Sequence, residues 1–316
     1  MFGCILCLNY FFAWCLGIYT LVHTACMIGQ LIVRNYIRKP LNIEERYGKG
    51  TWALVTGATG GIGEAYCIEL AKNNFNVILQ GRNKDKLEES EKRVKLVNNK
   101  IKTKILVADL GESLAVDFYQ ALYDQIKDLD ISILVNNAGW GEISFFELES
   151  LESHIANFRV NSAAPTMLTH FLINQMRARN NKSAIVNVST CGNNAPLPYM
   201  GVYCASKRFL TLFSYYLTDN YGDKIDVQDL TPAYVTTKMV NNHKGYDSIT
   251  AEKCAQCSIR DLGQEFHGLP VPAHSLYSQS FHTYYRHLKP LYKALVVSFM
   301  EKLALRKFFA KTRKAE

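Results

Sequence analysis

Tyr203 and Lys207 stand four residues apart at the start of a helix-like stretch, so both side chains fall on one helical face. A phenol ordinarily loses its proton near pH 10, and at neutral pH it is a poor shuttle. A lysine ammonium one turn away, joined by any further positive charge in a site, is expected to lower that value. Such a pair suits an acid that protonates a carbonyl oxygen while hydride reaches the carbon. The same chemistry needs a hydroxyl to hold the oxygen. In a chain with 18 tyrosines, however, a Tyr-x-x-x-Lys pair is weak evidence by itself.

A second group of residues suits a dinucleotide. Gly57, Gly61 and Gly63 fall where a short apolar strand, Trp52 to Thr56, turns into a helical pattern that runs to about Lys72. Without Cβ atoms such a turn lets the backbone approach a pyrophosphate, which the helix N-terminus attracts. Glycine turns also form for packing alone, but the strand before and the helix after favour the dinucleotide. An NAD site usually offers a carboxylate about 20 residues past the glycines, at the end of the second strand. Here that strand, Asn76 to Leu79, runs into Gln80-Gly81-Arg82 with no acid. The guanidinium of Arg82 suits a 2′-phosphate through bidentate, charge-assisted bonds, so NADPH is the expected cofactor. The alternative is a solvated loop arginine.

Further strands are expected at Ile105 to Ala108, Ile133 to Val135, Ala184 to Val188 and Ile225 to Leu230, with helix-length segments between, one of them charged and starting near Asn83. Strands alternating with helices imply βαβ units: an α/β fold of the Rossmann type, a doubly wound parallel sheet in a single domain over residues 50–275. A seventh strand near Gly268-Leu269-Pro270-Val271-Pro272 contains two prolines, which restricts it to an edge or an irregular segment.

Taken together, Thr56-Gly-x-x-x-Gly-x-Gly63, Asp109, Asn136-Asn-Ala-Gly139, Asn161, Asn187-Val-Ser-Thr190, Tyr203-x-x-x-Lys207 and Pro232 resemble the short-chain dehydrogenase/reductase family over roughly residues 50–250. The resemblance implies that Tyr203 is the acid/base, and that Lys207 binds the nicotinamide ribose. It implies that Asn161 holds a water in the proton relay. Cofactor contacts follow for Gly57, Thr59, Gly61, Ile62 and Gly63, for Asp109 at the adenine, and for Asn137, Ala138 and Gly139. Pro232, Val235 and Thr236 belong to the loop over the nicotinamide amide, with Thr236 its hydrogen-bonding hydroxyl. The family's substrate-orienting serine usually stands 13 residues before the tyrosine, where this chain has Thr190, with Ser189 beside it. Either hydroxyl can take the role.

From Phe2 to Val33 there is no Asp, Glu, Lys or Arg. That is long enough to cross a bilayer, and too long and too poor in basic residues for a cleaved signal peptide. Residues 1–33 are therefore expected to be a transmembrane helix, with Arg34, Arg38 and Lys39 marking the cytosolic side. From Phe281 to Glu316 nine Lys/Arg face two Glu, so nearly all of the net charge of +8 sits in the tail, residues 276–316. A basic tail rich in Phe, Tyr and Leu suits an anionic membrane surface better than nucleic acid, which is not expected as a partner. Nine scattered cysteines suit a reducing compartment, and the lone pair Cys254 and Cys257 offers too few ligands for a metal.

A narrower likeness rests on the N-terminal segment, Gly81-Arg-Asn-Lys-Asp-Lys-Leu87, Thr231-Pro-Ala-Tyr-Val-Thr-Thr-Lys-Met239 and the basic tail. These resemble the branch of 17β-hydroxysteroid dehydrogenases types 3 and 12, which includes very-long-chain 3-oxoacyl-CoA reductase. That branch implies reduction of lipid keto groups at the endoplasmic reticulum membrane, with the catalytic domain cytosolic. It leaves room for a homodimer and for other elongation enzymes as partners. Arg313-Lys314-Ala315-Glu316 resembles a dibasic retrieval signal. The expected substrate is a 3-oxoacyl-CoA in fatty-acid elongation or, alternatively, a ketosteroid. A silent lipid-binding scaffold is the reading of another class, against which Tyr203 and Lys207 both stand.

Overall fold

The structure, a computed structural model, describes residues 14–15, 17–22, 24–26, 28–30, 32–193, 197–237, 248–268, 285–286 and 288–315. Contacts divide the chain into two units, Met1–Pro40 and Leu41–Glu316. The second unit is built on a seven-stranded sheet in which every pairing is parallel. Its strands are β1 (Trp52–Thr56), β2 (Asn76–Gly81), β3 (Thr103–Val107), β4 (Ile131–Asn136), β5 (Ser183–Val188), β6 (Ile225–Leu230) and a two-residue edge strand, which becomes β9 in chain order (His267–Gly268). Between them, β7 (Tyr234–Thr236) and β8 (Ser248–Thr250) form a separate parallel pair.

The strands read as nearly unbroken apolar runs because helices cover both faces of the sheet. Ala53 and Val55 of β1 point to one face, where α2 (Gly61–Lys72), α3 (Lys84–Val97) and α8 (Ala251–Asp261) bury Tyr66, Leu70, Leu87 and Cys254. Leu54 points to the other, where α4 (Val116–Asp124), α6 (Ala164–Ala178) and α7 (Gly201–Tyr221) bury Tyr119, Leu172 and Leu217. The period of two along β1 separates the layers. Strand order β3-β2-β1-β4-β5-β6-β9 makes the chain reverse its direction of travel between β1 and β4. In such sheets the crevice at the C-terminal ends of those two strands receives the ligand.

A short helix before the sheet, α1 (Ile43–Tyr47), belongs to the second unit. Arg46 and Tyr47 donate to Asp226 at the start of β6, at 2.5 and 2.9 Å. Against the opposing effect of burial, these bonds hold the Asp226 carboxyl below its ordinary range. No local pattern marks this clasp, which joins residues 180 apart.

The edge position expected for a seventh strand holds at Gly268, while Leu269 to Pro272 lie outside the described residues. So do residues 1–13 of the apolar segment, Lys238 and Met239, and Tyr284 of the tail. Among the described residues no helix is long and apolar enough to cross a membrane. Those of the first unit are mostly helical, with Trp14, Ile18, Tyr19, Leu21 and Val22 exposed.

Candidate active site

The glycine turn leaves β1 with φ of +66° at Gly57 and +56° at Gly61, a region that side chains disfavour. Gly63 lies so close to the Gly57 carbonyl that no Cβ fits. The N-cap of α2, Gly60, makes no side-chain bond and has open space where a Cβ would stand. The first-turn N–H groups thus face a cradle that is open at Gly60, which fits a pyrophosphate.

Thr56 Oγ1 accepts from the N–H of Asn137 and of Ala138, both at 2.9 Å, and Asn137 Nδ2 donates to Thr56 O at 2.8 Å. The ends of β1 and β4 are thereby fastened beneath the turn. A Cβ on Gly61 would stand 3.1 Å from Thr237 Cγ2, so the segment that carries Val235 and Thr236 in β7 closes on the same turn. Pro232 O accepts from Cys191 N at 3.0 Å. Ile62 packs against the core, and Thr59 abuts Gly81.

Arg82, 74% exposed, has Asp109 Oδ2 at 3.5 Å across the ends of β2 and β3. Asp109 Oδ1 accepts from Gly111 N at 2.9 Å. The guanidinium is thus loosely held beside the cradle, where a phosphate can compete for it.

Tyr203, Lys207, Thr190, Asn161 and Gly139 converge at the C-terminal ends of β4 and β5. Lys207 is buried, and its Nζ donates to Val188 O at 2.7 Å. Burial lowers its pKa to about 8, although the Asp229 carboxylate raises it. A Cβ on Gly139 would stand 2.9 Å from Lys207 Nζ and 3.0 Å from Asn161 Oδ1. Asn161, fully buried in a π-helical turn (Arg159–Ala163), pins Trp140 from both sides: its Nδ2 donates to Trp140 O at 2.8 Å and its Oδ1 accepts from Trp140 N at 3.1 Å. Single π turns inside helices recur at functional sites.

Two expectations are refined here. The Tyr203 phenol is not lowered: burial pushes it up, and the opposing influence is a hydrogen bond with Thr190. Lys207 directs one of its three N–H donors at Val188 O. Ser189 and Thr190 also separate. Ser189 Oγ is turned into the protein, 3.0 Å from Thr211 Oγ1 and accepting from Asn193 Nδ2 at 3.1 Å. Thr190 Oγ1 accepts from Gly192 N at 3.4 Å and is the group that acts against burial on the Tyr203 phenol.

Tyr203 opens into a pocket of about 330 Å³ walled by Phe145, Phe146, Tyr199 and Met200, with Glu149 and His154 at 3.5 Å from each other. Sequence reasoning missed this wall, because loop 142–149 has no pattern that marks it. It also missed Gly141, where any Cβ would strike the Tyr203 ring.

Residues 51–246 match the sequence model of a family described as short chain dehydrogenase. The chain belongs to this family. Among curated members, hydroxysteroid dehydrogenase-like protein 1 of Gallus gallus is 37% identical over 231 residues, 71% of this chain and 68% of its own length. Very-long-chain 3-oxoacyl-CoA reductase of Homo sapiens is 34% identical over 227 residues, 68% of this chain and 70% of its own. Among solved structures, the bulky-bulky ketone specific alcohol dehydrogenase from Comamonas testosteroni superposes with a TM-score of 0.63 at 25% identity, over 73% of this chain and 91% of that one. As a short-chain dehydrogenase the protein is an oxidoreductase that acts between C=O and CH–OH.

Proposed function

We propose that this chain uses NADPH to reduce a keto group on a membrane-borne lipid, and that the substrate is a long-chain 3-oxoacyl-CoA, which becomes the 3-hydroxyacyl-CoA. The observation that carries the reading is Tyr203 in the lining of a pocket walled by Phe145, Phe146, Tyr199 and Met200. Apolar walls beside the acid suit an acyl chain.

The turn at Gly57, Gly61 and Gly63 would hold the pyrophosphate, Arg82 the 2′-phosphate, and Asp109 the adenine. Lys207 would hold the nicotinamide ribose, and Pro232 to Thr236 the amide. When bound, the nicotinamide supplies the hydride for the carbonyl carbon. Thr190 orients the carbonyl oxygen, and Tyr203 gives it the phenolic proton. The phenolate that remains is compensated by the Lys207 ammonium. Asn161 acts by fixing Trp140 and hence the backbone beside Lys207. Ser189 is assigned to the scaffold.

A ketosteroid is the second reading, favoured by the hydroxysteroid name of the avian relative. For location we propose the endoplasmic reticulum membrane. Residues 1–33 would form the anchor, the catalytic domain would be cytosolic, and residues 276–316 would lie on the membrane surface. The apolar side chains exposed from Trp14 to Val22 support an apolar surrounding for the first unit.

The test is incubation of membranes that carry the full chain with NADPH and either a long 3-ketoacyl-CoA or a ketosteroid, following cofactor absorbance. Consumption with the acyl-CoA, lost in Tyr203→Phe, supports the first reading. Consumption only with the steroid moves the assignment to the second. No consumption with either overturns both.

A further inference from the structure

Three carboxylates stand in the wall of the pocket that holds Tyr203: Glu142, Glu147 and Glu149. Among the described residues that line it there is no Lys or Arg, and the one side chain able to take up positive charge is His154. A cavity of about 330 Å³ is, if rounded, roughly 9 Å across, close to the screening length of about 8 Å at physiological salt. A charge brought up to Tyr203 is therefore felt by this wall.

Helix chemistry explains only part of the pattern. Glu149 precedes Ser150, the N-cap of α5 (Leu151–Phe158), whose hydroxyl accepts from Ser153 N at 3.2 Å. A carboxylate there complements the helix dipole. Glu152 in the first turn already does so, and Glu142 and Glu147 lie outside the helix.

The backbone that carries these groups is tied on both sides. Glu149, its side chain 12% exposed, accepts from Ser153 Oγ at 3.3 Å and has His154 Nδ1 at 3.5 Å. The Phe146 ring stacks on the His154 imidazole with centroids 4.7 Å apart, and His154 Nε2 stands 3.2 Å from Phe146 O. Across the pocket, Ser144 N donates to Tyr199 O at 2.9 Å, and Phe145 meets the Tyr199 ring edge-on at 5.0 Å between centroids. Glu149 is thus a fixed charge of the wall, whereas Glu147 is exposed and screened by water.

We propose that this wall makes the pocket selective against anions: Glu149, assisted by Glu147, rejects a ligand that carries a carboxylate close to the reacting carbonyl. Repulsion of the wrong ligand gives specificity as readily as attraction of the right one. A 3-oxoacyl thioester meets the condition, because its second carbonyl is neutral and the phosphates of CoA stand beyond the uncharged pantetheine arm. The free 3-oxo acid left by its hydrolysis does not. A ketosteroid is also admitted. The inference rests on the reading of Tyr203 as the acid of a keto reduction, and adds which neighbours of the keto group the pocket accepts.

Three ketones of one chain length and one carbonyl position test it: a δ-keto carboxylate, its methyl ester and the trimethylammonium analogue. With NADPH and membranes that carry the full chain, kcat/KM for the ester should exceed that for the carboxylate about tenfold or more, and the cation should do at least as well as the ester. Glu149→Gln keeps an acceptor for Ser153 and should shrink the ester-to-carboxylate ratio about threefold or more, and Glu147→Gln should shrink it less. The ketones partition into the membrane identically for every variant, so a change in the ratio belongs to the protein. Equal kcat/KM for ester and carboxylate, or a ratio that neither variant changes, overturns the proposal and leaves the reductase reading in place. Equilibrium dialysis of the same ketones against the detergent-solubilised, NADPH-loaded Tyr203→Phe protein reads the ranking without turnover. Preference for the ester there, with no turnover by the unaltered protein, keeps the selectivity and overturns the reductase reading. No binding of any of the three overturns both.

Discussion

The backbone of Gly141 passes so close to Tyr203 that a methyl group there would stand 2.4 Å from Cδ2 and 2.7 Å from Cγ of the ring. The ring is thus seated on bare backbone, beside the chain that Asn161 pins at Trp140. Gly141→Ala is expected to displace the phenol and lower kcat by about a hundredfold, since a misplacement near 1 Å costs that much. Thermal unfolding should change little, because the site is at the pocket edge. An unchanged kcat would show that the ring position is not limiting.

The two neighbouring hydroxyls make opposite predictions. Thr190→Val removes the hydroxyl proposed to orient the carbonyl oxygen and should lower kcat by about 10²–10³-fold, as for other lost oxyanion donors. Ser189→Ala breaks bonds with Thr211 and Asn193 and should cost about 1 kcal/mol in urea unfolding with kcat nearly kept. Steady-state kinetics of the pair decides the assignment.

What could be read from the sequence depended on how local each signal was. The cradle was legible because strand, glycines and helix follow one another within 21 residues, Trp52 to Lys72. Tyr203 and Lys207 were legible because one helical turn fixes their relation. Ser189 and Thr190 could not be told apart: at the end of β5, which of two adjacent hydroxyls meets Tyr203 depends on α7, whose Thr211 captures the serine. The upward push on Tyr203 was hidden for a related reason, since burial is set by segments distant in the chain and spacing shows only the neighbouring lysine. Gly141 and the Phe145–Tyr199 wall follow from tertiary approach alone.

Arg82 carries the cofactor prediction. Its exposed guanidinium gives up only a 3.5 Å pairing with Asp109 to take a phosphate. Arg82→Ala should weaken NADPH binding about ten- to a hundredfold, the worth of one charge-assisted bond, and leave NADH binding nearly unchanged. Fluorescence titration with both cofactors measures it, and equal affinity in the unaltered protein would remove NADPH from the reading.

The pH dependence follows from Lys207, whose pKa burial lowers to about 8. Below that value the residue is an ammonium, and above it an amine that can neither attract the cofactor nor compensate a phenolate. Since kcat/KM reports the free enzyme, kcat/KM for the cofactor should bend downward as pH rises through about 8. Lys207→Arg keeps its charge throughout, so the bend should vanish even where the absolute rate falls. A flat profile in the unaltered protein would mean that Lys207 stays charged.

Asp229 tests the same bend from the other side. It is fully buried in β6, with neither carboxylate oxygen hydrogen-bonded among the described residues, and His267 Nδ1 stands 3.7 Å away. One strand over, Val188 O holds the Lys207 ammonium, and Val188 pairs in register with Leu230, the residue after Asp229. The carboxylate raises the Lys207 pKa against burial. Asp229→Asn removes that charge without changing the side-chain shape, so the bend in kcat/KM should move to lower pH. The same substitution relieves a buried carboxylate that accepts no hydrogen bond among the described residues, and unfolding in urea at neutral pH should require equal or higher denaturant. A lower midpoint would mean that the His267 contact stabilises the fold, and an unmoved bend would mean that the field of Asp229 does not reach Lys207.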